Sequence, residues 1–376
     1  MTSNRAVAKC GDTHWQRGHQ GGGFSDVQLM RGGDQEPYIG GTIRCGNPWQ
    51  CAICSEKNTE VEGRIFRRAV KQHRAGCGQV YAVTLTIPHD DGDELRPMQR
   101  HISRAWGSTR NGAPWKRIEE KFGIVAETRT LEITHGPNGV HPHLHAGIFT
   151  REPLTREQHA ELAGWLYERW CRYVTKPNKE TGKVYRRPSS QLANPERPWE
   201  GTVGVTLKVM RNSDYLHKWG IAREMLGAVY KEGRAGHRNY WQILRDISRT
   251  NRPNDRKLWR EYADATKGAK LFTSSKTFKA LFARIIADEN AKQRDIPLDT
   301  QLANISGMDW KLFVSLEWQF QRERQLRAIS LDPLFELKIL DIGAAGRAPP
   351  ECQLLVDEYL EALHEGRGQL WQAVAA

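Results

Sequence analysis

The segment HPHLH, residues 141–145, places a histidine at every second position. Side chains of a β-strand alternate between its two faces, so His141, His143 and His145 are expected to share one face. The stretch GPNG just before them is a strong turn signal between two apolar-patterned runs. The sequence therefore predicts a β-hairpin whose second strand carries a row of three imidazoles.

Strand pairing across this turn adds a carboxylate to the histidines. With Gly136 opposite Gly139, Glu132 is predicted to lie opposite His143 and to share its face. Two imidazoles, from His143 and His145, and one carboxylate suit a divalent ion with open positions. Such an ion would act as a Lewis acid on a phosphate group. A slip of one residue would turn Glu132 to the other face, so His141 is the competing third ligand.

A tyrosine and a lysine follow the last predicted strand in the segment DYLHKW. Tyr215 and Lys218 are three residues apart on a predicted helix and share one of its faces. A tyrosine hydroxyl next to a metal-bound phosphate can attack phosphorus, and a lysine cation stabilises the developing charge. Tyr215 is therefore the candidate nucleophile, and Lys218 its partner.

Three cysteines lie close together in CGNPWQCAIC, namely Cys45, Cys51 and Cys54. This spacing is typical of a structural zinc site, which needs one further ligand. Cys10 is the favoured fourth ligand; His14, His73 and Cys77 remain alternatives. Such a site would hold together a glycine-rich segment that has little core of its own.

Composition limits the possible partners. The 376 residues carry a net charge of +12, which indicates a polyanion such as nucleic acid. The basic stretches 64–74 and 176–187 are candidate DNA contacts or solvated faces, and no individual recognition residue is assigned. No apolar run approaches ~20 residues, so no membrane partner is expected. The odd cysteine count and the lack of a signal-peptide pattern predict a cytoplasmic protein.

The predicted elements indicate an α+β fold with a central antiparallel sheet. Strands are expected at Val80–Ile87, on both arms of the hairpin and at 201–210, where Val203, Val205, Leu207 and Val209 share one face. Helices are expected at 94–122, broken at GSTRNGAP (107–114), at 155–174 and after 211. The helix at 155–174 has an apolar stripe formed by Leu162, Trp165, Leu166, Trp170 and Tyr173. Thr155 and Gln158 fit a capping box at the start of the second helical stretch. Three segments are predicted: a cysteine-rich zinc module (1–60), a catalytic domain (61–245) and a mostly helical C-terminal region (246–376) whose role is not assigned.

Together these motifs resemble the HUH endonucleases, specifically the single-tyrosine replication initiators (Rep) of rolling-circle plasmids. LEITHGPNGVHPHLH (131–145) is similar to the family's histidine motif, TLTIP (84–88) to its first motif and YLHKW (215–219) to its tyrosine motif. RCGNPWQCAIC (44–54) resembles its cysteine–tryptophan segment, and WREYADATKGAKLFTSS (259–275) resembles a weaker downstream block. The resemblance covers about residues 8–275.

The resemblance implies an HUH endonuclease fold and a reaction. The sheet would carry the histidines on a middle strand, with Mg²⁺ or Mn²⁺ bound and the tyrosine on a facing helix. The protein would nick one strand of a plasmid origin, form a 5′-phosphotyrosine link, leave a 3′-hydroxyl primer and later rejoin the strand. A host helicase is the expected partner, since the sequence has no P-loop.

The sequence departs from the family at one position that bears on the chemistry. Some relatives carry a glutamate four residues before the tyrosine, which helps water to end the cycle. Here that position is Arg211, and Asp214 points in a different direction from Tyr215 on a helix. The residue that assists termination is therefore not assigned.

Two other readings explain part of the pattern. A histidine-triad nucleotide hydrolase or transferase would use His143 as the nucleophile, but it has no use for Tyr215, Lys218 or the cysteines. A non-catalytic, zinc-dependent DNA-binding regulator explains the cysteines and the charge, but leaves the histidine hairpin idle.

Overall fold

The computed structural model describes residues 5–12, 15–18, 21–31, 37–188, 201–202, 205–210, 237–294 and 300–305. The chain divides into two compact units. Unit 1 contains residues 48–50 and the described part of 55–289. Unit 2 contains the described residues of 2–47, 51–54 and 290–376. Residues 246–289 thus belong to the same unit as the histidine hairpin, whereas the sequence-based division places them in a separate C-terminal region.

Unit 1 is built on a seven-stranded sheet in which every paired neighbour is antiparallel. Its strands, numbered within the whole chain, are β5 (Gln79–Leu85), β6 (Ile124–Gly136), β7 (Gly139–Thr150), β8 (Gly201–Thr202), β9 (Val205–Val209), β10 (Arg238–Asn239) and β11 (Phe272–Ser274). The strand order is β10-β6-β7-β5-β9-β8, and β11 also pairs with β6. The predicted central antiparallel sheet is confirmed, and β7 is one of its inner strands.

Helices of eight residues or more flank this sheet, together with one shorter helix. They are α2 (Ala52–Ala75), α3 (Leu95–Thr109), α4 (Gly112–Lys121), α5 (Arg156–Val174), α6 (Tyr240–Thr250), α7 (Pro253–Ala265), α8 (Lys276–Leu281) and α9 (Ala283–Arg294). A four-residue helix, α1 (Arg5–Ala8), precedes them in unit 2. The predicted break between two helical pieces after residue 94 is confirmed, because Arg110 and Asn111 separate α3 from α4.

One face of the sheet packs against α3 and α5. Leu85, Leu144 and Leu131 point to this face and are almost completely buried. The predicted capping box of α5 is present, with Thr155 and Gln158 exchanging hydrogen bonds. The buried side of α5 includes Leu162, Leu166 and Trp170 of the predicted apolar stripe. The two other stripe residues, Trp165 and Tyr173, are half-buried at its edge.

The opposite face of the sheet carries an aromatic core at one end. Phe149 of β7 lies against Phe66 of α2 and against Phe278 and Phe282, with ring centroids 5.5–6.1 Å apart. Because His145 lies four residues before Phe149 on the same strand, it points to this same face. The core therefore fixes the strand that holds the histidines.

The strand predicted at 201–210 is wrong in one respect. Instead of a single strand, β8 and β9 pair antiparallel as a short hairpin, with Thr202 opposite Val205. Val205 and Leu207 are buried on the face expected for them, and Val209 is partly buried. Strand β5 ends at Leu85, two residues before the predicted end.

The described residues of unit 2 form two small antiparallel sheets. The first pairs β1 (Trp15–Gly18) with β2 (Gly21–Phe24), and the second has the order β12-β3-β4, with β3 (Val27–Arg31), β4 (Pro37–Gly40) and β12 (Thr300–Ile305). Val27, Leu29, Ile39 and Ile305 are buried in the second sheet. The glycine-rich segment is therefore paired with a strand that lies some 260–280 residues later in the chain, which the sequence analysis did not anticipate.

Candidate metal centre

The hairpin β6–β7 holds the candidate ligands in the predicted register. Glu132 pairs with His143, Thr134 with His141, and Gly136 with Gly139. Gly139 has a φ of +84°, a left-handed conformation that favours glycine and allows the tight turn. The antiparallel pairing then places the carboxylate of one strand beside the imidazoles of the other.

Glu132, His143 and His145 converge on one point. The Nε2 atoms of His143 and His145 lie 2.9 Å and 2.8 Å from the same oxygen, Oε2 of Glu132. The three potential ligand atoms all lie within 4.8 Å of one another. The side chains are 13–18% exposed, so a substrate can still reach them. Two imidazoles and a carboxylate are a suitable donor set for a divalent ion with open coordination positions.

Neighbouring groups bear on how the two imidazoles are oriented. Nδ1 of His145 lies 3.1 Å from Oγ1 of Thr84, on strand β5. A hydrogen bond at Nδ1 fixes the ring and directs the Nε2 lone pair towards an ion. Nδ1 of His143 is buried and has no hydrogen-bond partner among the residues that the structure describes. The residues present therefore fit a bound cation at the Nε2 side of both rings.

His141 takes a different partner from the other two histidines. Its Nδ1 lies 2.7 Å from Nε2 of His89, which follows strand β5. Burial lowers the pKa of His141 to about 3, and neighbouring histidines add to this effect. The structure thus groups Glu132, and not His141, with His143 and His145. Sequence reasoning overlooked His89; its position just after a strand paired with β7 was the available signal.

Four thiols cluster in unit 2, as the spacing of the cysteines suggested. Sγ of Cys10 lies 3.5 Å from Sγ of Cys54, and Sγ of Cys45 lies 3.7 Å from it. Cys51 completes the group, with all four sulfurs within 4.8 Å of one another. The main-chain N–H of Asn47 points to Cys45 Sγ, at an N–S distance of 3.4 Å. The arrangement is suitable for a tetrahedral, four-thiolate ion site.

The thiol environment favours at least one thiolate. Hydrogen bonds from Cys10 and then from Cys51 lower the pKa of Cys54 to about 2. Of the alternative fourth ligands, His73 is hydrogen-bonded to the main-chain oxygen of Thr150 in unit 1, and Cys77 is exposed. His14 lies outside the described residues.

The predicted nucleophile region is not among the described residues. Tyr215, Lys218, Arg211 and Asp214 all fall in the range 211–236, so their predicted roles stay predictions. The structure brings together Glu132, His143 and His145, and separately the four cysteines. The position of the tyrosine motif relative to these two groups stays a prediction.

Much of the positive charge in the two basic stretches is neutralised locally. On α2, Arg68 contacts both Asp288 and Glu289, and Arg64 also contacts Glu289. In the stretch 176–187, Lys183 contacts Asp93, and Arg186 and Arg187 each contact a carboxylate. These ion pairs favour a structural role for five of the ten Lys and Arg residues in the two stretches.

Comparison with known proteins finds two distant relatives. The chain is 28% identical over 133 residues to "Protein rep" of Streptomyces lividans, covering 28% of this chain and 29% of that protein. It is also 28% identical over 131 residues to a "Neomycin resistance protein" of Streptomyces cyanogenus, covering 28% of this chain and 30% of that protein. The matched region thus spans less than a third of each relative.

No protein-family model and no solved structure matches the chain. Within the part of the chain that the structure describes, no helix has both the length and the apolar character needed to cross a bilayer. The two distant similarities support a Rep-like protein, and the α+β architecture with its antiparallel sheet is in keeping with them.

Proposed function

We propose that this protein is a plasmid replication initiator that nicks one strand of its origin by tyrosine transesterification. The observation that carries the proposal is the convergence of His143 and His145 on one carboxylate oxygen of Glu132. The similarity to a protein named Rep supports the biological setting. The +12 net charge suits a DNA substrate.

Glu132, His143 and His145 would hold Mg²⁺ or Mn²⁺. When bound, the ion would polarise the scissile phosphate and neutralise part of its charge. The paired strands β6 and β7 would hold the three side chains in place before the DNA arrives, so that little reorganisation is needed during the reaction. Thr84 supports His145 from the neighbouring strand.

The proposed chemistry exchanges one phosphate ester for another. The Tyr215 hydroxyl loses its proton, and its oxygen bonds to phosphorus. The bond from phosphorus to the 3′ oxygen then breaks, and that oxygen takes up a proton to become the primer hydroxyl. Lys218 would stabilise the charge on the phosphate. Because a phosphodiester is retained throughout, the reverse reaction rejoins a strand without ATP.

The cysteine cluster is proposed to bind Zn²⁺ in a structural role. Four thiolates leave no open position for substrate, and a closed set of this kind contributes folding energy. Cys10, Cys45, Cys51 and Cys54 are the proposed ligands. A host helicase partner remains a prediction from the family resemblance.

A denaturing gel assay tests the proposed reaction. The protein is incubated with pooled, end-labelled single strands of the source plasmid, with Mn²⁺ or without added divalent ion. We expect a protein–DNA adduct that needs Mn²⁺, disappears in Tyr215→Phe and persists in the matched control Tyr173→Phe. Tyr173 is a half-buried tyrosine of α5 that contacts Lys176, outside the proposed site.

The other possible results of this assay would identify a different nucleophile or a different class of protein. An adduct that survives Tyr215→Phe places the nucleophile on another residue. The absence of any adduct, together with hydrolysis of a nucleoside phosphoramidate that is lost in His143→Ala, would identify a histidine-triad enzyme. DNA binding with neither reaction would identify a non-catalytic regulator.

A further inference from the structure

A second concave site adjoins the metal centre at the turn end of the hairpin. Its volume is about 380 Å³, within the range of pockets that take a small organic ligand. Its walls include the imidazoles of His89, His141 and His237, and the side chain of Arg186 lies at its rim. Neither the proposed nicking chemistry nor the proposed zinc site uses this pocket.

Four separate parts of unit 1 build the pocket. They are the chain after β5, the hairpin turn, the segment at Arg186 and the residue before β10. The approach of His237 to the turn depends on Gly136. A Cβ on Gly136 would lie 2.4 Å from Cδ2 of His237, which no side chain could tolerate without displacing the ring. The shape of the pocket therefore depends on the tertiary packing of these four parts of unit 1.

A continuous row of four imidazoles connects the pocket to the metal centre. Ring centroids are 4.9 Å apart from His89 to His141, 5.3 Å from His141 to His143, and 4.8 Å from His143 to His145. His141 therefore stands between the pocket and the first metal ligand. A base bound in the pocket could therefore belong to a nucleotide next to a phosphate held at the metal centre.

The chemistry of the walls favours a nucleobase over an ion. Among the described residues, no cluster of three or more potential metal ligands includes His89, His141 or His237. An anion deep in the pocket is disfavoured because Arg186 is 73% exposed and already lies 3.0 Å from Asp90. Planar imidazoles offer stacking surfaces for the face of a base. Nε2 of His89 and Nδ1 of His141 hydrogen-bond each other, so the edge of the base would be read by the other ring nitrogens of the three histidines.

We propose that this pocket binds the base of the nucleotide adjoining the scissile phosphate of a single-stranded DNA, between His89, His141 and His237. Arg186 then lies where it can contact the backbone of that nucleotide. The proposal rests on the proposed function for the identity of the strand. It adds a specificity determinant, since the edge of one base is read next to the cleavage point.

An abasic scan combined with variants tests this assignment. Single-stranded 12-mers are selected for binding to the full-length protein without added Mg²⁺ or Mn²⁺, so that the metal-dependent reaction is idle. Each base of the tightest 12-mer is removed in turn, and the dissociation constant is measured by fluorescence anisotropy. The proteins compared are wild type, His89→Ala, His237→Ala and the control His135→Ala. His135 lies on the same hairpin, but strand alternation turns it to the other face.

We expect one position at which base removal weakens binding to wild type by about tenfold, as losing a stacked base does. His89→Ala and His237→Ala should weaken binding of the intact strand by a similar factor and lose nothing further at that position. His135→Ala should keep the wild-type profile. His89→Phe, which keeps an aromatic wall, should restore part of the binding and shows that the fold tolerates change there.

Two results would overturn the proposal. One is an identical abasic profile in wild type and both histidine variants. The other is a strand that inorganic phosphate displaces from wild type but not from Arg186→Ala, with no base dependence, which would make the pocket an anion site. The adduct assay on the same 12-mer separates the two proposals. A base-specific contact without an adduct would support the pocket proposal and refute the nicking function. An adduct without the base-specific contact would support the nicking function and refute the pocket proposal.

Discussion

Replacing Glu132 with glutamine tests the metal centre by a measurement that does not depend on activity. The glutamine keeps the size of the side chain but removes the negative charge that faces both imidazoles. Mg²⁺ and Mn²⁺ favour carboxylate oxygen ligands, so two neutral imidazoles alone should hold them poorly. We expect Mn²⁺ to stabilise wild type against heat and to have little effect on Glu132→Gln.

The size of the effect follows from linkage. An ion at 100 times its dissociation constant stabilises the folded state by about 2.7 kcal/mol. For a unit of the size of Ser55–Glu289, each kcal/mol raises the melting temperature by roughly 2–4 °C, so Mn²⁺ should raise it by about 5–11 °C. Mutating residues that only support a metal ligand typically weakens metal affinity by about 10–100-fold, so we take about 100-fold for the loss of the Glu132 carboxylate. The residual stabilisation by Mn²⁺ is then about 0.4 kcal/mol, which corresponds to about 1–2 °C.

The assay is differential scanning fluorimetry of zinc-loaded protein across a Mn²⁺ titration. The matched control is Glu152→Gln, the same change at an exposed glutamate beyond β7, which should shift like wild type. A full Mn²⁺ shift in Glu132→Gln would refute the assignment of the carboxylate. If His141→Ala then abolished the shift, the third ligand would be His141.

Three further predictions concern zinc, the core and pH. Atomic absorption should find about one zinc per chain in wild type and in the control Cys77→Ser, but none in Cys51→Ser, because a closed site needs all four thiolates; retention in Cys51→Ser would contradict it. Phe149→Ala should lower the free energy of unfolding by about 3–5 kcal/mol in urea, as removing a fully buried aromatic ring does, and a loss below 1 kcal/mol would argue against the aromatic core described. Burial lowers the pKa of His101 and His159 in the folded chain, so the unfolded chain binds more protons once the pH falls below about 6.5. The urea midpoint of unfolding should therefore fall as the pH is lowered below about 6.5. A midpoint that stays unchanged would mean that these two rings are exposed.

Local sequence signals were sufficient for the hairpin and for the start of α5. The period of two at residues 141–145 and the GPNG turn together determine which side chains share a face, since the register of a hairpin follows from its turn. The capping box of Thr155 and Gln158 is equally local, because both partners lie within one helical turn. For such features the interacting atoms are near neighbours in the chain.

Other features depend on contacts between distant residues and were missed. The apolar pattern of residues 201–210 did not indicate that they form two strands, β8 and β9. The pairing of β3 with β12 joins segments that lie some 270 residues apart in the chain. His237 reaches Gly136 across about 100 residues of sequence. No periodicity within a short window can reveal such approaches.

The amino-acid sequence by itself determined the types of the candidate ligands, the strand that carries the histidines and the cysteine spacing. It left open whether Glu132 or His141 joins the two histidines, because both occupy the same face in neighbouring positions. The tertiary structure separates the two candidates: Thr84 of β5 lies beside His145, His89 of the chain beyond β5 lies beside His141, and Glu132 lies with His143 and His145. The different surroundings of His141 come from a third segment of chain, and only folding brings that segment to the hairpin.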